Sequence, residues 1–224
     1  SCEGGFIMAS KGGHNAESHN HNDIGVFEVF YDNTPVLIDI GTGIYTKQTF
    51  SADRYGIWYI SSNGHNVPQI NGKEQLAGEE CKASSVNFET TPDKAAMLMD
   101  ISSAYPAECN LSSMLRNAAL YRSLKTVSIH DRATFTKAGN KLVMPLYFLM
   151  EPKITGPDTA EIKVNDKVLQ LDINCSHSLC MEVEKIVLGE DKLLNDWGEC
   201  IYKLSLEIAT EGDSISYDIN LRKK

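Results

Sequence analysis

No apolar run in this 224-residue chain approaches the ~20 residues that a helical membrane span requires, so no such span is read. Basic residues are scarce: 21 Lys and Arg stand against 30 Asp and Glu, a formal charge of −9. The one tight basic cluster is Arg222-Lys223-Lys224 at the C-terminus. Nucleic-acid binding rests on clustered cations against phosphate, so that partner is excluded. The six cysteines (Cys2, Cys81, Cys109, Cys175, Cys180, Cys200) form no CxxC pair and no dense disulfide framework. In a chain this long they read as small buried side chains, with Cys175 and Cys180 the pair a hairpin would bring together. Ser1-Cys2-Glu3-Gly4-Gly5-Phe6 lacks the basic and then apolar segments of a secretory leader. Without an initial Met it reads as a fragment or processed product, so the missing leader says little about location.

Long 3.6-period stripes are also lacking; what fills the chain is strand pattern. Phe6 to Ala9 leads into a His-rich segment. Ile24 to Tyr31 then meets Thr34 to Asp39 across Asp32-Asn33, and Val67 to Ile70 meets Glu74 to Leu76 across Asn71-Gly72, both hairpin-turn signals. Further strands are predicted at Ser84 to Glu89, Ala96 to Ser102, Ala118 to His130, Thr134 to Thr136 and Val143 to Met150. The last group is Glu161 to Val164, Val168 to Ile173, Leu179 to Val187, Cys200 to Ala209 and Ser214 to Ile219. Thr49 to Ile60 reads as a short helix or a structured loop. The expected architecture is all-β: one domain over residues 1–224, an antiparallel β-sandwich of two packed sheets with few short helices.

Chemistry concentrates near the start. In Gly12-Gly13-His14-Asn15-Ala16-Glu17-Ser18-His19-Asn20-His21-Asn22-Asp23, an extended strand would project His19 and His21 to the same face. Pro35 to Gly41 puts Asp39 inside a strand that otherwise reads as buried, where an unpaired carboxylate is costly. Its bland reading is a strand-end residue capping the turn at Gly41. Asn63-Gly64-His65-Asn66 brings a third imidazole to the start of another strand. Two or three His with one Asp suit Zn(II) or Fe(II), whereas Ca(II) asks for more oxygen ligands. His14, His130 and His177 have no patterned partner and read as ordinary histidines. Asp23 and Asn66 read as turn or supporting residues outside the metal set. Tyr45, Arg54 and Tyr55, with Trp58 and Tyr59, suit either a sugar cleft or core packing.

Three blocks together, Lys11 to Gly13 with His19 to Glu28, Val36 to Gly43, and His65 to Gly72, resemble the C-terminal domain of the heparinase II/III-like polysaccharide lyases. The late Trp197-Gly198 ahead of a strand is similar too, while the rest matches in strand pattern and length. The resemblance implies an antiparallel sandwich that follows an N-terminal helical toroid, with the cleft between them. His19 matches the family's catalytic histidine. His21, Asp39 and His65 match its divalent-metal ligands, usually zinc. The catalytic tyrosine and the asparagine that neutralises the substrate carboxylate belong to the toroid, absent from this chain. The implied setting is periplasmic or secreted, and the implied substrate an acidic polysaccharide, heparan sulfate-like or alginate-like.

Such lyases remove the C5 proton of a uronic acid and break the 4-O bond. Histidine titrates in the range proton transfer needs. A cation near His19 would disfavour imidazolium and keep it neutral, as a base must be. Because His19 rather than an ion matches the catalytic position, the metal is expected to organise the cleft edge. A surface at −9 is a poor platform for a densely sulfated chain, so either the other domain supplies cations or the substrate carries less charge. Two other classes compete. Gly13-x5-His19-x-His21 matches the start of a cupin motif, but Gly25 and Val26 stand where its Glu is expected and Glu28 comes late. A non-catalytic carbohydrate-binding or structural sandwich is the second.

Overall fold

A computed structural model describes residues 5–224. Two antiparallel sheets carry the fold. The first runs β1 (Phe6–Ser10), β3 (Phe27–Tyr31), β4 (Thr34–Leu37), β11 (Asn140–Phe148), β16 (Cys200–Thr210), β15 (Ser178–Val187), with β5 (Gln69–Ile70) also on β11. The second runs β12 (Pro152–Ile154), β13 (Thr159–Val164), β14 (Lys167–Cys175), β17 (Ser214–Lys223), β10 (Thr126–Phe135), β9 (Leu111–Tyr121), β8 (Lys94–Asp100), β7 (Ser84–Thr90). A small ribbon pairs β2 (His14–Asn15) with β6 (Gly78–Lys82).

Period-2 alternation makes the sandwich. Ile215, Tyr217, Ile219 and Leu221 of β17 point inward, as do Leu204, Leu206 and Ile208 of β16. They join Leu142, Met144 and Leu146 of β11 in one core shared by both sheets. Each such aliphatic side chain contributes about 1.5–3 kcal/mol relative to exposure. A smaller cluster gathers Ile38, Ile40, Tyr59, Ile60, Tyr147, Leu188, Leu193 and Ile201 against helix α1 (Asp191–Trp197). It backs the loop after β4, where Trp197 Nε1 donates to the Ile40 carbonyl at 2.9 Å.

Both hairpin turns form. Asp32 and Asn33 have φ of 47° and 63°, Asn71 and Gly72 51° and 72°, as a type I′ turn demands. Several boundaries differ from expectation. The strand predicted over Ala118 to His130 is two, β9 and β10, separated by a turn at residues 122–125. That turn contains neither Gly nor Pro, so local punctuation is missing. Glu74 to Leu76 is not a strand; the Leu76 amide bonds the Ala104 carbonyl at 2.7 Å instead. Thr49 to Ile60 holds short 3₁₀ turns. Cys175 and Cys180 do not pair: the five described cysteines are free, and these two lie on strands of different sheets. Cys2 lies outside the described residues. Among the described residues no helix is long and apolar enough to cross a membrane.

Candidate functional site

Three loops at one end of the first sheet carry the sequence-predicted residues, and none of those residues is in a strand. His19 and His21 sit in the loop between β2 and β3 rather than side by side on a strand, and His19 is left-handed, with φ 57°. Positions 17–23 are all polar, so no apolar alternation holds His19 and His21 to a sheet. Asp39 lies two residues beyond the end of β4. His65 follows a 3₁₀ turn, Ser62–Gly64, capped by the Ser61 hydroxyl, and precedes β5 by several residues. A side chain at Gly64 would put Cβ 2.5 Å from Tyr59 Cα and 2.7 Å from the Trp58 carbonyl, so that close approach requires glycine.

The loops converge on a line of groups. His65 Nδ1 is 2.5 Å from Asp39 Oδ1, and His65 Nε2 is 3.2 Å from His21 Nδ1. Burial, and next the neighbouring His65, push His21 down to about 4. Burial would lower His65 and raise Asp39; each partner's opposite charge outweighs that, so His65 is raised and Asp39 lowered. Asp39 is therefore an ionised acceptor, and His65 Nδ1–H donates to it. On the other side, His21 Nε2 is buried without a hydrogen-bond partner. Such an orphan is costly unless something engages it.

Asp23 joins this group, although sequence reasoning left it outside. One oxygen each from Asp23 and Asp39 and a ring nitrogen of His65 lie within 4.8 Å of one another. Lys11 Nζ bonds Asp23 Oδ1 at 2.7 Å. Burial raises Asp23, with His65 and Lys11 opposing.

The substrate-side candidates divide. His19 is exposed and its ring stacks on Tyr45, centroids 5.7 Å apart, with Phe50 edge-on to Tyr45 at 5.5 Å. Tyr45 and Phe50 are themselves 48% and 70% exposed, which leaves aromatic faces open beside the histidine. Arg54 instead serves the backbone: Nε and Nη2 hold the Asn20 carbonyl at 3.1 and 2.6 Å, and Nη1 the Thr49 carbonyl at 2.8 Å. It clamps the turn between His19 and His21. Tyr55 Oη accepts from Asn20 Nδ2 at 3.4 Å. Trp58 and Tyr59 pack in the smaller core cluster.

Beneath the loops lies a polar scaffold of which the sequence pointed only to Asn66, as a turn or supporting residue; Arg116 and Gln75 were missed. Asn66 Nδ2 donates to the carbonyls of Phe27 and Ile38, and its Oδ1 accepts from the Tyr147 amide. One carboxamide thus ties the residue after His65 to the residue before Asp39. Arg116 Nη1 donates to the carbonyls of Gly25 and Asn66 at 2.7 and 2.9 Å. Gln75 brackets Ile24, accepting its amide hydrogen and donating to its carbonyl. Lone polar residues in apolar strands are the available signal: Arg116 in β9 and Asp131 in β10.

The donor set fits a divalent transition metal. Two ligands at about 2.05 Å in tetrahedral array are about 3.3 Å apart, close to the His21–His65 separation. Imidazole and carboxylate donors suit zinc, and the Asp39 oxygen that accepts from His65 Nδ1–H leaves His65 Nε2 facing His21.

The profile of the heparinase II/III-like, C-terminal family matches residues 6–196. Among solved structures, a heparinase III gene product superposes with a TM-score of 0.74 at 14% identity, over 97% of this chain and 32% of that one. The heparan sulfate lyase HepC from Pedobacter heparinus gives 0.74 at 15% identity, over 98% and 33%. Another heparinase III gives 0.74 at 12%, over 97% and 33%. Similarity at this level carries the fold. The chain spans about a third of the length of these structures. No curated protein matches it by sequence.

Proposed function

Because this chain belongs to the heparinase II/III-like C-terminal family, we propose that it is the β-sandwich part of a polysaccharide lyase that cleaves uronic-acid-containing chains by β-elimination. The observation that carries the reading is the juxtaposition of an exposed histidine, His19, with the line of buried His21 and His65 and part-buried Asp39 that starts two positions on. His19 reaches solvent on a turn fixed by the Arg54 fork, next to the open faces of Tyr45 and Phe50. It accepts the C5 proton or serves the leaving oxygen. Tyr45 offers a stacking face for a sugar ring, and Arg54 and Tyr55 shape the turn.

His21, Asp39 and His65 hold a divalent ion, zinc by their donor chemistry. When bound, it would offset the Asp39 carboxylate charge and tie the three loops together. Its role is to organise. The groups that steady the developing carboxylate charge belong to a helical domain of the longer protein, which acts in the periplasm or outside the cell. With a formal charge of −9 on this domain, the cations for an acidic polymer come from that partner domain.

The test is ultraviolet absorbance of the unsaturated uronate product, with the full-length protein and with residues 1–224, on heparan sulfate, hyaluronan and alginate. The full-length protein is expected to generate product and the sandwich alone to generate almost none. Robust cleavage by residues 1–224 would place the whole catalytic set within this domain. A full-length protein inert on every uronate polymer, yet binding one, would favour the carbohydrate-binding reading.

A further inference from the structure

The segment that brings Tyr45 to His19 is held from outside the site loops. Residues 38–47 follow β4 without regular structure, so no strand ladder fixes where Tyr45 points. The amides on either side of it are fixed instead. Downstream, the Thr46 amide donates to the Thr49 hydroxyl at 2.9 Å, and Arg54 Nη1 holds the carbonyl of the same buried Thr49. Upstream, the Ile44 amide donates at 3.1 Å to Glu190 Oε2, from a residue 146 positions away. The buried Tyr59 donates its hydroxyl to that same oxygen at 3.0 Å. Burial, and next the Glu190 carboxylate, push this hydroxyl up to about 12, so it remains a donor. Bonds to an ionised acceptor are about twice as strong as neutral ones, which makes this the firmer anchor. Gly43 lets the groups meet, because a Cβ there would overlap both Glu190 Oε2 and the Tyr59 hydroxyl.

Glu190 stands at the N-cap of α1, and its carbonyl accepts the Leu194 amide at 2.9 Å. Its side chain makes no cap bond and turns to the loop instead. The same helix reaches the Ile40 carbonyl through Trp197. One short helix thus grips this segment at Ile40 and again at Ile44. Tyr45 is 48% exposed, so little packing selects its direction and the placement of its backbone must. Resting on the reading of His19 as the proton-transferring residue beside Tyr45, we propose that Glu190 is a positioning residue for this site. With Tyr59 it fixes the backbone at Ile44, so that the Tyr45 ring meets His19 rather than swinging into water. Its action runs through Tyr45.

The experiment has two arms, both on the full-length protein. In the first, NMR of isotopically labelled histidine reads the His19 ring, assigned by its loss in His19→Ala. Tyr45 stacks on that ring, so its ring current displaces the His19 signal, and Tyr45→Ala gives the signal without it. Glu190→Ala is expected to move the signal toward its Tyr45→Ala position. Glu190→Gln, whose carbonyl oxygen can still accept two bonds, should keep it near wild type. Gly43→Ala, which displaces the carboxylate without altering it, should act like Glu190→Ala. In the second arm, kcat/KM on the uronate polymer that the wild type cleaves is expected to fall about 10–100-fold in Glu190→Ala. It should largely return in Glu190→Gln, and fall no further when Glu190→Ala is added to Tyr45→Ala. An unmoved His19 signal in Glu190→Ala, or losses that add in the double variant, would overturn the assignment. A full-length protein without lyase activity would instead overturn the proton-transfer reading, and the His19 signal would still decide whether Glu190 positions Tyr45.

Discussion

Arg116 and Asp131 face each other directly across β9 and β10, both on the inward side of the sheet and both wholly buried. Two bonds join them, Nε to Oδ1 at 2.8 Å and Nη2 to Oδ2 at 2.6 Å, and Tyr217 donates to the same carboxylate at 2.6 Å. The guanidinium's remaining nitrogen crosses the core to the carbonyls of Gly25 and Asn66, adjoining Ile24 and His65. A buried ion pair in one sheet thereby positions two site loops on the other.

Removing the cation should be expensive. Asp131 would be left as an uncompensated buried charge, and two loop carbonyls would lose their donor, so Arg116→Met is expected to destabilise by about 3–5 kcal/mol. Urea unfolding checks it. Arg116→Lys should recover little, because an ammonium lacks the planar fork that reaches carboxylate and carbonyls together. Wild-type stability in either variant would mean that the core repacks without the pair.

His19 and His21 should separate in a melting experiment with zinc present. A bound ion stabilises the folded state by about 2.7 kcal/mol at a hundredfold excess over its dissociation constant. His21→Ala is expected to lose most of that zinc-dependent rise in Tm, and His19→Ala to keep it, because His19 is exposed and outside the buried line. Equal losses in the two variants would contradict the division of roles.

Acid should act through His21 in metal-free protein. Unfolded, this ring takes its proton near 6.5; folded, it resists until about 4. Between those values the unfolded chain binds more protons, so the stability associated with neutral His21 is complete above pH 6.5 and is lost as pH falls toward 4. His65, raised by Asp39, acts in the opposite sense: its contribution is present below 6.5 and is lost as pH rises through its folded value. Comparing wild type with His21→Gln isolates the first effect. The stability of wild type relative to that variant is expected to fall from pH 6.5 to 4; a pH-independent difference would show that His21 is protonated as freely folded as unfolded.

Local chemistry was legible in the sequence and distant chemistry was not. Asp32-Asn33 and Asn71-Gly72 announce their turns because few residues tolerate positive φ at both positions. The alternation in β16 and β17 announces two half-buried strands. By contrast, the turn at residues 122–125 carries no Gly or Pro, so two strands read as one. The strand geometry inferred for His19 and His21 failed for a related reason: spacing of two is necessary for a shared strand face but does not supply a sheet to pair with. The structure gathers these residues through Arg54, Asn66 and Gln75, whose side chains bond backbone from 5 to 81 positions away. Bonds of that reach leave no periodic trace. Asp23 was passed over because its partners, Lys11 and the Asp39–His65 pair, meet it only after the loops close.

The measurement that bears most directly on the central claim is the initial rate of unsaturated uronate formation by zinc-loaded full-length protein, wild type against His19→Ala. A histidine that transfers the proton should leave a rate lower by about 10²–10⁴-fold, with zinc content and Tm unchanged. A His19→Ala protein that cleaves at the wild-type rate would contradict the account and move the chemistry away from this loop.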